Sequence, residues 1–278
     1  MNIISIDMKR FMKIFLAICF VAFVAFVVIN SYQKFLVSKQ NKNSKKLFNI
    51  VLVGAAGSGK GTQSELIKNK MNLLQISAGE VLRQYRKDPN AKYTKTINEY
   101  IDKGELVPTE ITHEILAAYM EKNVFCTNCS YNGVIFDGFP RQMEQLKFLD
   151  SFLDKHNNKI DAVVHIDIPM EVLVDRLSGR YSCSNCGALY HKTSKPTKVP
   201  GICDKCGGTH FDVRADDQNK DAIRARFKIF ADTTMPVLEE YKKRNVVIKV
   251  DGNKKPDEIS KEILTELHKV EQAEKTKK

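Results

Sequence analysis

No stretch of this 278-residue chain repeats another, which excludes solenoids and other repeat arrays. Excess charge is missing from its middle as well. The formal net charge is +11, but residues 1–46 hold eight Lys or Arg against Asp7, and residues 272–278 hold three Lys against Glu274. Basicity confined to the two ends reads as solvated or membrane-flanking runs, not as a duplex-binding surface, so no nucleic-acid partner is expected. Long apolar runs are equally scarce. The long one covers residues 14–29, preceded by Lys9, Arg10 and Lys13 and followed by lysines 34, 39, 42, 45 and 46. Sixteen helical residues span roughly 24 Å, a little short of a bilayer core, and no small-x-small cleavage site follows. The first expectation is an uncleaved anchor whose soluble domain faces the cytoplasm or an organelle matrix. The alternative is an organellar targeting sequence that is removed.

With 43% hydrophobic residues, the chain can bury one good core with an added module. From residue 47 onward, short β-branched runs alternate with amphipathic stretches. "LFNIVLVG" (47–54), "LLQIS" (73–77), "GVIFDGF" (133–139), "AVVHIDI" (162–168) and "VVIKVDG" (246–252) read as five buried strands. Strands separated by helices imply an α/β fold, a parallel five-stranded sheet with helices on both faces. Residues 80–132 and 181–213 are too long or too irregular for single crossovers, and both are expected to leave the sheet domain.

"VGAAGSGKGT" (53–62) follows the first strand and opens a helix. Gly54, Gly59 and Lys60 satisfy the spacing of a phosphate loop, in which backbone amides and an ammonium surround phosphate at a helix N-terminus. Gly61 stands where a generic nucleotidase has the Ser or Thr that touches Mg2+, so the metal must be held differently.

Taken together, G-K-G-T, "ISAGEVLR" (76–83) and "DGFPRQMEQ" (137–145) resemble the nucleoside monophosphate kinases, most closely the adenylate kinases with a long lid. The likeness runs from about residue 47 to 268. It implies a monomer that moves a phosphoryl group reversibly from Mg·ATP to AMP, on a P-loop core with two moving flaps. The core would comprise residues 47–79, 113–180 and 214–270, with a helical monophosphate-binding domain at 80–112, a lid at 181–213, an N-terminal segment at 1–46 and a basic tail at 271–278.

Such transfer needs preorganised positive charge more than covalent work by the protein. The resemblance places the donor at Gly57, Ser58, Gly59, Lys60, Gly61 and Thr62, with Arg176 stacking on its base, Arg180 on its phosphates, and Leu189, Tyr190 and Lys254 around it. For the acceptor it implies Ala78, Arg83, Glu105, Leu106, Val107, Gly138, Phe139, Pro140, Arg141 and Gln145. Arg214 and Arg226 would converge on the transferring group, Arg224 being the alternative to Arg226, while Asp137 would order Mg2+ through its waters. Asp216 and Asp217 read as salt-bridge partners that close the lid. Ala78 is closer to the UMP/CMP kinases. Gln145, whose amide offers both a donor and an acceptor to adenine, favours AMP.

Cys183, Cys186, Cys203 and Cys206 form two C-x2-C knuckles, the ligand set for a closed, structural Zn2+. A zinc ribbon that binds nucleic acid would gather basic and aromatic residues here, yet residues 181–213 contain no arginine. Thiolates kept for a metal point to a reducing compartment. Cys126 and Cys129 read as incidental thiols of a loop insertion.

Overall fold

The computed structural model describes Ala25, Phe26, Val28 and residues 46–103, 105–126, 129–213, 217 and 219–276. The chain divides into residues 1–45 and 46–278. In the first unit Ala25, Phe26 and Val28 are helical, and the rest of the expected anchor at 14–29 lies outside the described residues. Among the described residues, no helix is long and apolar enough to cross a membrane.

The second unit runs β1 (Phe48–Val53), α1 (Lys60–Met71), β2 (Leu73–Ser77), α2 (Ala78–Tyr85), α3 (Thr94–Asp102), α4 (Thr109–Asn123), β3 (Gly133–Asp137) and α5 (Met143–Lys155). It continues with β4 (Ala162–Asp167), α6 (Met170–Ser178), β5 (Arg180–Cys183), β6 (Leu189–His191) and β7 (Phe211–Asp212). It closes with α7 (Lys220–Ile229), a π-helical turn at Phe230–Thr234, α8 (Met235–Lys243), β8 (Val247–Asp251) and α9 (Pro256–Thr276). The five expected strands are all present. They make one sheet in the order β2-β3-β1-β4-β8, with parallel pairing throughout.

Period-two alternation sends Ile50 and Leu52 of β1 to one face, where they pack with Ile67 and Met71 of α1 and Ile259, Ile263 and Leu267 of α9. Val51 and Val53 turn to the other, against Leu116, Met120, Leu146, Leu149, Val237 and Leu238. Burial on both faces is why these strands read as unbroken apolar runs. The chain leaves β1 toward β2 on one side and later crosses to β4 on the other. β1 is therefore the switch point, and a crevice opens beyond its C-terminal end.

Two smaller cores stand outside the sheet. Leu82, Ile97, Val107 and Ile115 form one, drawn from α2, α3, the following loop and the start of α4. The other lies under the antiparallel sheet β6-β5-β7 and consists of Cys183, Tyr190 and Cys203 with Tyr181 and Phe211 packed on them. Between α4 and β3, Cys126 and Cys129 are joined in a disulfide, which replaces the expectation of two incidental thiols.

Candidate active site

Gly59 ends the loop after β1 in the left-handed region at φ 99° and caps α1, a conformation that costs a residue with a Cβ but not glycine. The turn leaves the first amides of α1 facing the crevice, where they and the helix dipole favour an anion. Lys60 follows directly. Its Nζ donates to the carbonyls of Gly54 at 2.7 Å and Ala55 at 2.9 Å. Burial lowers its pKa to about 8. Asp137 opposes that shift, and Arg141, Arg226 and Arg180 add to it. Residues from three separate segments, 137–141, Arg180 and Arg226, are thus close enough to Lys60 to act on its charge.

Each is fixed by a local device. Asp137 is the last residue of β3, in register with Leu52 of β1 and Ser77 of β2. Arg141 donates from its backbone N–H to Gln145 Oε1 at 2.7 Å and from Nε to the Gly138 carbonyl at 2.9 Å. Since an N–H must face an oxygen, this bond also fixes which way the buried Gln145 amide points. Arg180 stands at the start of β5 and grips Asp217 in a fork, Nε to Oδ2 at 2.7 Å and Nη2 to Oδ1 at 2.8 Å. Arg226 on α7 reaches the same carboxylate through Nη1 at 2.7 Å. The Asp217 side chain is wholly buried. Four cations therefore share this region with two carboxylates, leaving an excess of positive charge suited to a polyphosphate.

Arg224 is exposed and pairs with Asp221 at 3.1 Å, so of the two candidates only Arg226 joins the cluster. Arg214 and Asp216 lie outside the described residues. Asp217 ties the foot of the lid to α7, in keeping with its reading as a salt-bridge partner at the lid, and the structure adds that Arg180 and Arg226 are the partners.

Other expected site residues sit at the flanks. Arg176 donates from Nη2 to the Gly252 carbonyl at 3.0 Å, linking α6 to the loop after β8. Lys254 is turned outward to Glu262 at 2.7 Å. Arg83 pairs within α2 with Glu80 at 2.9 Å. Ala78 and Val107 are buried, Leu106 is half-buried and Glu105 exposed. Gly138, Phe139 and Pro140 form the bend between Asp137 and Arg141, with a cis bond before Pro140. Thr62 is half-buried in the first turn of α1.

The lid reaches this site through Leu189. A Cβ built on Gly61 would lie 3.1 Å from Leu189 Cδ1, and Lys205 pairs with Glu65 of α1 at 3.0 Å. Alternation along β6 turns the next residue the opposite way. Tyr190 is buried inside the lid, stacked on Tyr181 with centroids 5.5 Å apart, its hydroxyl 3.2 Å from Cys203 Sγ. At the hinge, the backbone N–H groups of Thr193 and Ser194 donate to His191 Nδ1 at 3.2 and 3.1 Å. Nε2 is then the protonated nitrogen, facing the Asp175 carbonyl at 3.3 Å.

The two knuckles are built alike. Gly187 donates to the Cys183 carbonyl at 2.9 Å and Gly207 to that of Cys203 at 2.8 Å, each glycine at positive φ. The four Sγ atoms all lie within 4.8 Å of one another, with 3.6 Å between Cys183 and Cys206 and between Cys186 and Cys203. Tetrahedral zinc with Zn–S bonds of about 2.3 Å asks for sulfurs about 3.8 Å apart. The donor set fits Zn2+. Magnesium asks for oxygen donors and waters, which Asp137 and a bound polyphosphate would supply in place of the hydroxyl absent at residue 61.

A family model described as adenylate kinase matches residues 52–246. The chain belongs to the adenylate kinase family. Among its relatives, the adenylate kinase of Enterococcus faecalis is 39% identical over 215 residues, 77% of this chain and 96% of the relative. That of Latilactobacillus sakei is 40% identical over 211 residues, 76% and 94% of the two chains. That of Archaeoglobus fulgidus is 37% identical over 222 residues, 80% and 99%. The matched span takes in the phosphate loop and the lid, beginning within β1 and ending just before β8, and leaves out the N-terminal segment.

Proposed function

We propose that this protein is an adenylate kinase that transfers the terminal phosphoryl group of Mg·ATP reversibly to AMP, giving two ADP. The observation that carries the reading is the gathering of Asp137, Arg141, Arg180 and Arg226 around Lys60 at the end of β1. An AMP phosphate oxygen attacks the γ-phosphorus in line as the bond to the ADP oxygen breaks. Charge then spreads over the equatorial oxygens, where fixed guanidinium groups stabilise it without reorganising. Lys60 and the α1 amides hold the donor phosphates, and Arg83 and Arg141 the acceptor phosphate. Arg180 and Arg226 serve the group in transit. Mg2+, held through Asp137, supplies further neutralisation of the phosphate oxygens when bound. Closure of the lid over Gly61 keeps water from taking the phosphoryl group.

Gln145 supports adenine as the acceptor base. With its carbonyl oriented by the Arg141 N–H, the amide presents an amino donor and a second carbonyl lone pair, the complement of adenine N1 and N6. Ala78 supports a second reading, a UMP/CMP or broad-specificity kinase. A coupled assay of AMP, UMP, CMP and GMP with ATP or GTP as donor separates them. Preference for AMP is expected, preference for UMP would refute the assignment to Gln145, and no transfer to any monophosphate would refute the enzyme reading.

Zn2+ at the four cysteines is proposed as structural, since four thiolates leave no position for substrate. The apolar run at 14–29 is proposed as an anchor, with the kinase domain on the cytoplasmic or matrix side. Retention in membranes after a high-salt wash is the expected result.

A further inference from the structure

The Cys126–Cys129 disulfide lies outside the site described above. Its cysteines are three positions apart in the chain, and both flanks are held without it. On one side the Val124 N–H donates to the Met120 carbonyl at 2.8 Å, continuing α4. There Phe125 stacks on His156 with centroids 3.8 Å apart and packs on the main core. On the other side Asn72 Nδ2 donates to the Ser130 carbonyl at 3.0 Å, and the Asn132 N–H donates to the Asn72 carbonyl at 2.9 Å. A cross-link between neighbours so held closes a very short loop and restricts the unfolded chain little. A staple is therefore a poor account of it.

Two further observations bear on its use. Cys126 is exposed and Cys129 half-buried, with Cys129 Sγ 3.0 Å from the Asn123 carbonyl. The lid cysteines need to remain thiolates to hold a metal, so the chain is built for surroundings in which thiols persist. An accessible disulfide between neighbours exchanges there.

We propose that Cys126 and Cys129 form a reversible thiol–disulfide exchange site for a dithiol reductant. A thiolate of the dithiol attacks Cys126 Sγ, the exposed sulfur. The Cys126–Cys129 bond breaks, and Cys129 leaves with the electron pair and takes a proton, its S–H then placed to hydrogen-bond to the Asn123 carbonyl. The second thiol of the dithiol then displaces Cys126. Two electrons and two protons pass to the protein, and the dithiol becomes a disulfide.

The test uses the full-length, zinc-loaded protein. Dithiothreitol is added without denaturant, followed by N-ethylmaleimide and peptide mass analysis. Labelling of Cys126 and Cys129 is expected while Cys183, Cys186, Cys203 and Cys206 stay protected. Oxidised glutathione should then form a mixed disulfide on Cys126 in Cys129→Ser, at least about ten-fold faster than on Cys129 in Cys126→Ser. Transfer from ATP to AMP, unchanged within about two-fold in both variants, reports that they fold, because the cysteines precede the N-terminal end of β3 whereas Lys60 follows the C-terminal end of its parallel neighbour β1. The proposal is overturned if the pair stays as thiols in oxidising buffer, or if it is reduced only in denaturant. It is equally overturned if the lid cysteines are labelled first, or if both variants react alike. Native-state reduction of the unaltered chain decides the matter should either variant fail to fold.

Discussion

At the scale of single residues, the site stores positive charge at some cost and uses carboxylates to hold it in place. Lys60, with its pKa lowered to about 8, is partly neutral at mildly alkaline pH when no nucleotide is present. Donor phosphates restore the charged form. Binding of ATP at pH 8.5 should therefore take up protons, seen as a calorimetric enthalpy that varies with the ionisation heat of the buffer. Lys60→Met should lose that dependence, and a buffer-independent enthalpy in the unaltered protein would contradict the placement of Lys60. Asp217 supports the opposite side of the cluster. Asp217→Asn leaves two arginines beside each other without a counter-charge and is expected to cost about 2–4 kcal/mol in unfolding free energy. The loss should shrink when a triphosphate is present, since phosphate oxygens then replace the carboxylate. Arg224→Ala, on an exposed pair, should stay within about 0.5 kcal/mol of the parent and keep its rate. If Arg224→Ala slows transfer as much as Arg226→Ala does, Arg226 is the wrong arginine.

At the scale of elements, the lid and the sheet are stabilised by different means. The sheet strands bury both faces, whereas the lid has three short strands and a core of a few aromatic rings and cysteines. So small a core needs a metal to hold its segments together. Removal of Zn2+ by a chelator is expected to open residues 181–213 to limited proteolysis and to lower the thermal midpoint. AMP affinity of the open enzyme should stay nearly unchanged, because the small core around Leu82, Ile97, Val107 and Ile115 has no part in the knuckles. Loss of transfer in zinc-free protein whose lid still resists protease would show a role beyond holding the fold. The Glu65–Lys205 pair is too exposed, 45% and 51%, to hold the lid by itself. The apolar contact of Leu189 with the loop is the better candidate for the closed arrangement.

At the scale of the whole molecule, stability against pH depends on Asp161, at the entry to β4. It accepts the Asn49 N–H at 2.8 Å. Burial, the first cause, pushes its pKa up to about 6. A folded-state value above the ordinary value of 3.8 means that the folded chain binds this proton more tightly than the unfolded one. The stabilising effect is present in full below about pH 4 and fades as pH rises through 6. Asp161→Asn should remove this pH dependence between about 4 and 6 and add on the order of 1–2 kcal/mol at pH 7. Chemical denaturation at pH 5 and 7 checks it, and an equal change at both would refute the shift. Much of this fold was legible in the chain because the strands are buried on two faces and their apolar runs are bounded by glycines. The phosphate loop was legible because its geometry demands glycine and lysine at set spacing. Asp217 was legible as a salt-bridge partner at the lid, but nothing local says which arginines will fold onto it. The Cys126–Cys129 bond was hidden for a similar reason: spacing alone does not separate a disulfide from half a metal site.

Gly61 leaves the loop without a hydroxyl, which bears on how magnesium is held. Its position beneath Leu189 gives the vacancy a second meaning, that of clearance. A side chain at 61 would press on Leu189 Cδ1, which would have to give way for the lid tip to seat against the loop. The choice of glycine, which gives up a metal contact, thus serves a moving part. The phosphate loop carries the footprint of Leu189, a residue nearly 130 positions farther along the chain.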